Sequence, residues 1–511
     1  MISIKNYSNG TRLSSIIDNS LGINISVMGS GLKADTIAYI MACISRNKES
    51  IIELLDRISS TPTENNEKKV EQIIEGYGHS SVRALGHLPV CIEGLSILHS
   101  LQCFNLGALQ DGQERSTRYV NILDTQQSND WFYIPKEIQE IPELKESYIS
   151  VMQYWMSAFQ RSLNLYKINI KDKYEEGNTL TKRVVSSRAL DCARYFLPLG
   201  TRTVTVMNQN GREWVELISM FESSLLKGDV AIGTLLENLL TQTEGGMLIK
   251  HTHKSANQLN KIALDHVKDI GFTEWSDSED NTKEFMQVFK EGLPLEWGYK
   301  SILNPHIETL NSNKPLTLHN TLMAVSNHHK GLDKRVSRIT SGMVCHGISD
   351  IGTLKDLNRH RGMVYMPLLM EGFVFKNPKE YPPGTNYYSV PPYIEEGRLN
   401  HLEEDFCNTY NKGMDMVDDW FYTAEEELGE VLANELIKYL LPHAFNTPYF
   451  ISGDISRWHY LLNLRKGLDG HISYRKWAYD CNAQWQKKGY NFVPNMVEPD
   501  ASSITELEYR S

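Results

Sequence analysis

The sequence predicts an α+β fold made of two tandem halves, each with a mixed sheet and packed helices. Strand-like runs and amphipathic helical runs follow one another, but without the regular strand–helix–strand order that indicates a parallel sheet. In addition, a series of residues in the first half recurs in the same order 244 positions later. This ordered repeat predicts a duplication, because chance matches would not keep their spacing.

The composition is that of a folded globular chain. The 511 residues are 41% hydrophobic and 23% charged, and at about 150 residues per domain this length predicts two to four domains. A net charge of −11 disfavours non-specific binding to nucleic acids or anionic membranes. Without an apolar leader or a long apolar run, we expect no membrane association and a cytoplasmic location. Seven scattered cysteines without a C-x-x-C pair predict neither a disulfide framework nor a metal site.

Local patterns indicate the elements of the first half. Residues 87–94 (HLPVCIEG) alternate like a strand, and residues 95–105 have helical periodicity. Residues 201–208 (TRTVTVMN) are rich in β-branched side chains and predict a strand, followed by a helix over 212–226. Each half also contains a longer amphipathic helix. Its apolar stripe is Tyr148, Val151, Trp155 and Phe159 in the first half, and Phe406, Tyr410, Met414, Val417 and Phe421 in the second.

The repeat is clearest between residues 193–219 and 437–463, which align without a gap. The coinciding pairs are Arg194/Lys438, Tyr195/Tyr439, Leu197/Leu441, Pro198/Pro442, Thr203/Thr447, Trp214/Trp458 and Leu217/Leu461. We therefore predict an N-terminal domain over 1–272 and a C-terminal domain over 286–511. The acidic and polar stretch 273–285 between them is the predicted linker.

A glycine pattern near the N-terminus has two interpretations. Gly29, Gly31 and Ala34 follow a strand-like run with the spacing of a dinucleotide-binding fingerprint. That fingerprint requires a second strand ending in an acidic residue about 20 positions later, whereas the chain there, CISRNKESIIELLDRISS, is helical and polar. The other interpretation is a glycine turn that opens a helix.

Arg359, His360 and Arg361 stand directly before an apolar stretch, GMVYMPLL. The next polar group is the hydroxyl of Tyr365, which predicts that the triplet lines a partly buried pocket. A buried guanidinium needs an anion or a set of acceptors, because desolvating it alone costs on the order of several kcal/mol. The triplet is therefore either part of an anion-binding site or a structural anion clamp in a subunit contact.

Several motifs resemble, in order and spacing, those of the flavin-dependent thymidylate synthases. They are SVMGSGLKADTIAYIMACIS, GYGHSSVRALGH, QERSTRYV, FYIP, and ARYFLP followed by TRTVTVMN. The resemblance covers residues 75–220 strongly and 340–480 more thinly. It implies that Gly29 and Gly31 belong to the opening valine-methionine-glycine turn of that family. The family signature is Arg-His-Arg with a Ser-x-Arg that begins eight positions after its last arginine.

Each half keeps only part of that signature. The first half keeps Ser116-x-Arg118 but has Leu-Gly-Ala at 106–108 where the triplet is expected. The second half keeps the triplet but has Leu369 and Glu371 in place of Ser-x-Arg. Because the losses are complementary, the resemblance implies one complete site shared between unlike halves and one pseudo-equivalent site without function.

The resemblance also assigns roles by position. The implied nucleotide-binding residues are Glu114, Ser116, Arg118, Arg194, Asp356 and Arg465. The implied flavin-binding residues are Arg359, His360, Arg361, His471, His79 and Ser45. Ser116 and Arg465 are the expected catalytic residues, with no metal involved. Structural roles are the alternatives: a helix cap for Ser116, a helix-end ion pair for Arg194, and helix-terminal positions for His79 and His471.

The implied activity is transfer of a one-carbon unit from methylenetetrahydrofolate to C5 of a pyrimidine nucleotide, dUMP by default, with hydride passed from NADPH through FAD. Asp356 replaces the usual glutamine, and an ionised carboxylate accepts but does not donate, so a nucleotide with an exocyclic amine also stays open. The alternatives are a methylase for another pyrimidine nucleotide and a non-catalytic homologue that binds a nucleotide or a partner. We further expect a homodimer that imitates the four-domain ring of the family.

Overall fold

The chain divides into two compact units that do not follow the order of the sequence. The computed structural model describes residues 2–8, 11–31, 33–44, 80–105, 111–124, 130–174, 182–222, 224–249, 306–309, 343–358, 363–367, 387–468 and 470–503, with a few isolated positions. The first unit comprises Met1–Arg115, Phe132–Pro142 and Arg202–Leu264, and the second comprises Ser116–Trp131, Glu143–Thr201 and Asp265–Ser511. The predicted linker over 273–285 lies outside the described residues.

The described elements confirm the predicted α+β class. The strands are β1 (Ser3–Asn6), β2 (Thr11–Asp18), β3 (Ile23–Ser30), β4 (His87–Ser96), β5 (Gly112–Glu114), β6 (Arg202–Asn210), β7 (His306–Thr309), β8 (Met343–Asp350), β9 (Val364–Pro367) and β10 (Asn446–Gly453). The helices are α1 (Ala34–Ile44), α2 (Ile97–Asn105), α3 (Lys136–Gln139), α4 (Pro142–Tyr174), α5 (Lys182–Ala193), α6 (Gly211–Glu222), α7 (Lys227–Gln242), α8 (Ile351–Leu357), α9 (Pro392–Glu395), α10 (Glu403–Leu428), α11 (Glu430–Ile437), α12 (Ile455–Arg465) and α13 (Ile472–Lys487). Within the described ranges, none of these helices is long and apolar enough to cross a membrane.

The first unit is built on a sheet with strand order β1-β2-β3-β4-β6-β5, and its described pairings are antiparallel, which corrects the prediction of a mixed sheet. Alternate residues of β3, Ile23, Ile25 and Val27, are fully buried, as expected for a strand that covers a core on one face. Strand β4 continues to Ser96 across an irregularity beside Gly94, whose φ of +84° suits glycine. The predicted helix over 95–105 consequently begins only at Ile97.

The glycine pattern is a turn and not a dinucleotide-binding loop. Strand β3 is antiparallel to both β2 and β4, whereas the fingerprint belongs to a parallel β-α-β unit. Gly31 adopts a φ of +65° just before α1 begins at Ala34. The Glu244 carboxylate packs against Gly29, and a Cβ at this position would overlap it.

The other first-half predictions hold with one correction. Strand β6 covers the predicted strand, and α4 contains the predicted apolar stripe, whose four side chains are buried. The helix predicted over 212–226 is wrong in length, because α6 ends at Glu222 and α7 starts anew at Lys227. The hydroxyl of Ser224 accepts the backbone N–H of Leu226, which stabilises a turn that competes with continued helix.

From β8 onward, the second half of the chain has the same order of strands and helices as the first half has from β4 onward. Strands β8, β10 and β9 lie side by side as β4, β6 and β5 do, with β7 added at the edge. The repeat tryptophans occupy equivalent places. Trp214 Nε1 donates to the carbonyl of Leu88 at 3.0 Å, and Trp458 Nε1 donates to the carbonyl of Met343 at 3.0 Å. The repeat in sequence therefore coincides with a repeat in local structure.

Two Leu-Pro segments, residues 195–200 and 439–444, pair with each other inside the second unit. Backbone N–H groups of His443 and Ala444 donate to the carbonyls of Leu197 and Tyr195 at 3.0 and 3.1 Å. In the opposite direction, the N–H of Leu199 donates to the carbonyl of Leu441 at 2.9 Å. Pro198 lies across from Pro442. Because these prolines are repeat partners, the pairing has local two-fold symmetry.

The two long helices α4 and α10 also pack together in this unit. The Tyr154 hydroxyl donates to the carbonyl of Thr409 at 2.7 Å, and Trp420 Nε1 donates to the carbonyl of Leu144 at 3.1 Å. The buried ring of Trp155 lies directly over Gly413, and any Cβ at that position would overlap the ring. The glycine therefore sets how closely the helices approach.

We expect Gly413→Ala to lower the free energy of unfolding by up to about 2 kcal/mol. Alanine favours a helix interior over glycine by about 1 kcal/mol, but forcing the Trp155 ring from a filled core costs about 1–3 kcal/mol, and the second effect dominates. Urea denaturation of the full chain measures the change. Asp419→Ala, at an exposed position of the same helix, should stay within about 0.5 kcal/mol of the parent. A stabilised Gly413→Ala protein would contradict the packing described.

Candidate functional site

Four buried or half-buried arginines and two carboxylates form a cluster in the second unit. The arginine cluster is Arg118, Arg188, Arg194 and Arg465 together with Asp191 and Asp356. The sequence positions alternate between the halves. The loop after β5, helix α5 and the turn that follows it contribute the first-half members, whereas α8 and α12 contribute Asp356 and Arg465. The structure thus brings predicted residues of both halves together.

Asp191 holds two of these guanidinium groups. Arg118 Nε donates to Asp191 Oδ1 at 2.9 Å, and Arg188 Nη1 donates to Asp191 Oδ2 at 3.3 Å. Asp191 and Arg188 are fully buried on α5, three residues apart and therefore on one helix face. A buried carboxylate shared by two arginines keeps both guanidinium groups in fixed directions.

Arg194 is fully buried but only partly paired. Its Nη2 donates to Asp356 Oδ2 at 2.9 Å. Its Nε and Nη1 have no hydrogen-bond acceptor among the described residues. Burial acts to lower the pKa of this guanidinium, but the Asp356 carboxylate holds the pKa above its ordinary value, so the group stays charged. Unsatisfied N–H groups on a buried cation indicate a position for a further acceptor.

Arg465 joins the predicted triplet to Asp356. At the end of α12, its Nε donates to His360 Nε2 at 2.6 Å and its Nη2 donates to the backbone carbonyl of Asp356. Burial, together with the nearby Arg465 charge, lowers the pKa of His360 well below its ordinary value. His360 is therefore neutral, with its proton on Nδ1, and acts as an acceptor for Arg465.

Tyr474 connects the two arginines that come from different halves. The Arg118 guanidinium lies 5.4 Å from the centre of its ring, and the Arg465 guanidinium lies 4.6 Å from it. Arg118 Nη1 also donates to the Tyr474 hydroxyl at 3.2 Å. The ring supplies a cation–π contact to both cations without adding a negative charge. Tyr474 therefore positions both guanidinium groups.

His471 has the structural role that was open from the sequence. It caps α13, where its Nδ1 accepts the backbone N–H of Ser473 at 3.2 Å. Its Nε2 consequently carries the proton and donates to the carbonyl of Asp191 at 3.2 Å. Burial, followed by the positive charge of Arg194, lowers its pKa to about 3. His471 is thus a neutral residue that fixes Asp191 behind the arginine cluster.

The remaining predicted residues divide into those described and those outside the described ranges. Ser116 lies beside the arginine cluster, where its Oγ accepts the backbone N–H of Arg118 at 3.3 Å and caps a short turn. Glu114 is buried at the end of β5 in the first unit. Arg359, Arg361, His79 and Ser45 lie outside the described residues, as do the positions 106–108, 369 and 371 that would form the pseudo-equivalent site.

Guanidinium groups outnumber the carboxylates that they contact in the arginine cluster, four against Asp191 and Asp356. A third buried carboxylate, Asp350, lies close enough to Arg194 and Asp356 to feel both charges, and its burial raises its pKa to about 6. The two neighbouring histidines, His360 and His471, are neutral. Guanidinium forks favour phosphate or carboxylate oxygens, so the arrangement is suited to an anionic ligand.

Sequence reasoning missed Arg188, Asp191 and Tyr474. The signal for the first two was present, because Arg188, Asp191 and Arg194 recur at three-residue spacing in RALDCAR, which places charged groups on one helix face. Tyr474 had a weaker signal, its position three residues after His471 in GHISY. Asp356 was predicted to read a nucleotide base, and in the structure its carboxylate accepts from Arg194 Nη2.

Part of the chain is similar to a known family. Residues 28–224 match the family model described as thymidylate synthase complementing protein. UPF0159 proteins of Chlamydia muridarum and Chlamydia pneumoniae are each 19% identical to this chain, over 433 and 430 residues. These matches cover 80% and 79% of this chain and 76% and 75% of the relatives. A flavin-dependent thymidylate synthase of Pyrococcus furiosus is 28% identical over 181 residues, or 35% of this chain and 62% of that protein.

We expect the His471→Asn protein to lose less stability than the parent when the pH is lowered. The folded-state pKa of about 3 lies below the ordinary value of 6.5, so between these pH values the unfolded chain binds a proton that the folded chain does not. Acidification therefore destabilises the parent through His471, whereas asparagine can cap a helix without titrating. Urea unfolding between pH 6 and pH 4 should show a slope smaller by up to about 1.4 kcal/mol per pH unit. Equal slopes would contradict a buried neutral His471.

Proposed function

We propose that this chain, whose residues 28–224 match the thymidylate synthase complementing protein family, is a flavin-dependent thymidylate-synthase-like enzyme. It would transfer a one-carbon unit from methylenetetrahydrofolate to C5 of a pyrimidine nucleotide, with dUMP as the default substrate, FAD as cofactor and NADPH as reductant. The similarity to a flavin-dependent thymidylate synthase of Pyrococcus furiosus supports the class of reaction. The two halves would be a diverged duplication, and the chain would assemble as a homodimer.

One observation carries the proposal. Arg118 and Arg194 come from the half with the intact Ser-x-Arg, and His360 and Arg465 come from the half with the intact triplet. They nevertheless lie in one unit, connected through Asp356 and Tyr474. Unlike halves that each lost part of a signature are expected to combine their remaining parts in one site. This geometry supports a single complete site per chain.

Within that site, the arginine cluster would bind the phosphate of the nucleotide. Arg194 supplies two nitrogens, Nε and Nη1, that have no acceptor among the described residues, and Arg118 is held beside it by Asp191. Fixed guanidinium groups in a site that excludes water stabilise negative charge without reorganising. The phosphate contacts would position the pyrimidine ring, and no nucleophile of the protein is needed for this step.

The residues present also suit a bound flavin. FAD when bound supplies hydride transfer to the pyrimidine adduct. A neutral His360 with its proton on Nδ1 is a hydrogen-bond donor, and Arg465 keeps it in that tautomer. Positive charge from Arg465 and from the rest of the triplet matches the anionic groups of such a cofactor. Arg359 and Arg361 would contribute in the same way, as the sequence predicts.

A non-catalytic nucleotide- or partner-binding homologue is the second candidate. It is favoured by the ion pair of Asp356 with Arg194, which places a protein carboxylate on a predicted substrate-binding group. The matches that extend over most of this chain are to proteins named only UPF0159. The two candidates differ in flavin chemistry, because the binding homologue has no need of FAD.

Flavin retention separates these candidates. We expect the purified full chain, incubated with FAD and desalted, to keep one flavin per chain that NADPH bleaches. Arg359→Ala should lose most of the flavin because an anionic cofactor loses a guanidinium partner, whereas Leu106→Ala, at the degenerate position of the other half, should keep it. The visible absorbance after desalting measures both. A parent protein that retains no flavin would rule out the enzyme in favour of the binding homologue.

Nucleotide binding tests whether the site is asymmetric. Arg194 and Lys438 are repeat partners, both buried, but Lys438 pairs with Glu435 at 2.9 Å outside the arginine cluster. We expect Arg194→Met to weaken dUMP binding by about 10- to 100-fold, the effect of losing hydrogen bonds to a charged group. Lys438→Met should change the affinity by less than about threefold.

Isothermal titration with dUMP gives both the affinity and the stoichiometry. One nucleotide per 511-residue chain is expected. Two equivalent nucleotides per chain, or equal losses in the Arg194→Met and Lys438→Met proteins, would contradict a single site formed by complementary halves.

A further inference from the structure

Two cysteines that are far apart in the sequence meet in the core of the second unit. Cys345 lies on β8 and Cys481 lies on α13, and the Cys481 thiol donates to Cys345 Sγ at 3.4 Å. Both side chains are fully buried, and both thiols are free. A disulfide requires the two sulfurs to come from this distance to about 2.0 Å, the length of an S–S bond.

A short chain of hydrogen bonds holds Cys345 Sγ in this position. Trp477 Nε1 donates to the Tyr449 hydroxyl at 2.7 Å, and this hydroxyl lies 3.6 Å from Cys345 Sγ. Because an indole N–H can only donate, the hydrogen of the Tyr449 hydroxyl is available to the sulfur. Cys345 Sγ is then an acceptor for both Tyr449 and Cys481, and the two sulfurs face each other.

The cysteine pair is connected to the arginine cluster through α13. Tyr474, Trp477 and Cys481 follow one another at three- and four-residue spacing, so they lie on one face of this helix. At the start of the same face, the Tyr474 ring contacts the guanidinium groups of Arg118 and Arg465. A covalent bond at Cys481 would therefore join to β8 the helix that positions both arginines.

We propose that Cys345 and Cys481 form a reversible disulfide, a modification site that closes when the surrounding thiol pool becomes oxidised. The oxidant is a small-molecule disulfide such as oxidised glutathione. One protein thiolate attacks it to give a mixed disulfide and one reduced glutathione, and the second protein thiolate then displaces the other glutathione. The cysteine pair loses two electrons and two protons, and one oxidised glutathione becomes two reduced molecules. The reaction is independent of the proposed function, because it uses neither a nucleotide nor a flavin.

Burial affects the rate of this reaction, whereas packing decides its equilibrium. Burial raises the pKa of Cys481 well above its ordinary value, and the thiolate is the reactive form, so exchange requires transient local opening of α13. In the folded chain, packing holds the two sulfurs at a high effective concentration. In the unfolded chain they are 136 positions apart, and closing that loop costs entropy.

Equilibration of the full-length chain with reduced and oxidised glutathione measures this preference. After the oxidised fraction stops changing, free thiols are alkylated, and the disulfide is quantified as the linked tryptic peptides 339–355 and 477–487. The controlling quantity is the squared concentration of reduced glutathione divided by the concentration of oxidised glutathione. We expect half-oxidation of the folded chain at a value at least about 100-fold higher than for the chain in concentrated urea.

Cys103 and Cys192 are matched controls, because they are as deeply buried but have no thiol within hydrogen-bond distance in the described part of the chain. They should still be alkylated after denaturation under conditions that close the Cys345–Cys481 pair, so that the chain loses two of its seven thiols. The Cys481→Ser protein should lose none. Because the main measurement uses the parent protein, the test does not depend on the folding of this variant.

Two results would overturn the proposal. One is half-oxidation of the folded chain within about threefold of the value in urea, which would mean that native packing does not favour the bonded pair. The other is linkage of Cys345 or Cys481 to other cysteines in amounts equal to the linkage between them.

Discussion

The backbone pairing of the two Leu-Pro segments is the contact on which the second unit depends. Residues 195–200 and 439–444 exchange hydrogen bonds around the facing prolines Pro198 and Pro442. This pairing holds the end of α5, and with it Arg194, against the second half of the chain. The carbonyl of His443 also accepts the N–H of Gly352, so the same segment holds the start of α8. The symmetric backbone therefore supports an asymmetric set of side chains.

The asymmetry has a clear electrostatic form. In the first half, the Leu-Pro segment follows the fully buried Arg194, whose Nε and Nη1 have no acceptor in the described part of the chain, and in the second half it follows Lys438, which is paired with Glu435. A lysine ammonium is a point charge on a flexible chain, whereas a guanidinium has a rigid fork. Arginine at position 194 and lysine at the equivalent position 438 therefore differ in function: the guanidinium can match a phosphate, whereas the ammonium forms an ion pair with Glu435.

The sequence predicted the fold class, the long helices and the arginines, because these follow from periodicity and from motifs at fixed spacing. It did not predict the partners. The contact of Arg194 with Asp356 spans 162 residues, and the role of Tyr474 depends on how α13 approaches the loop after β5. Neither follows from local pattern, since both result from tertiary packing. The break at Ser224 was missed for another reason: its turn depends on one hydroxyl that competes with the helix.

The fit of Trp155 over Gly413 bears on how such a chain avoids mispairing during synthesis. A protein with two similar halves carries two long helices of related character, and either could pair with the same helix of another molecule. A large ring that needs a residue without a side chain opposite it accepts only one partner surface. Two copies of α4 would set ring against ring, and two copies of α10 would leave a gap. Shape complementarity thus favours association of unlike halves, to which covalent linkage adds a high effective concentration.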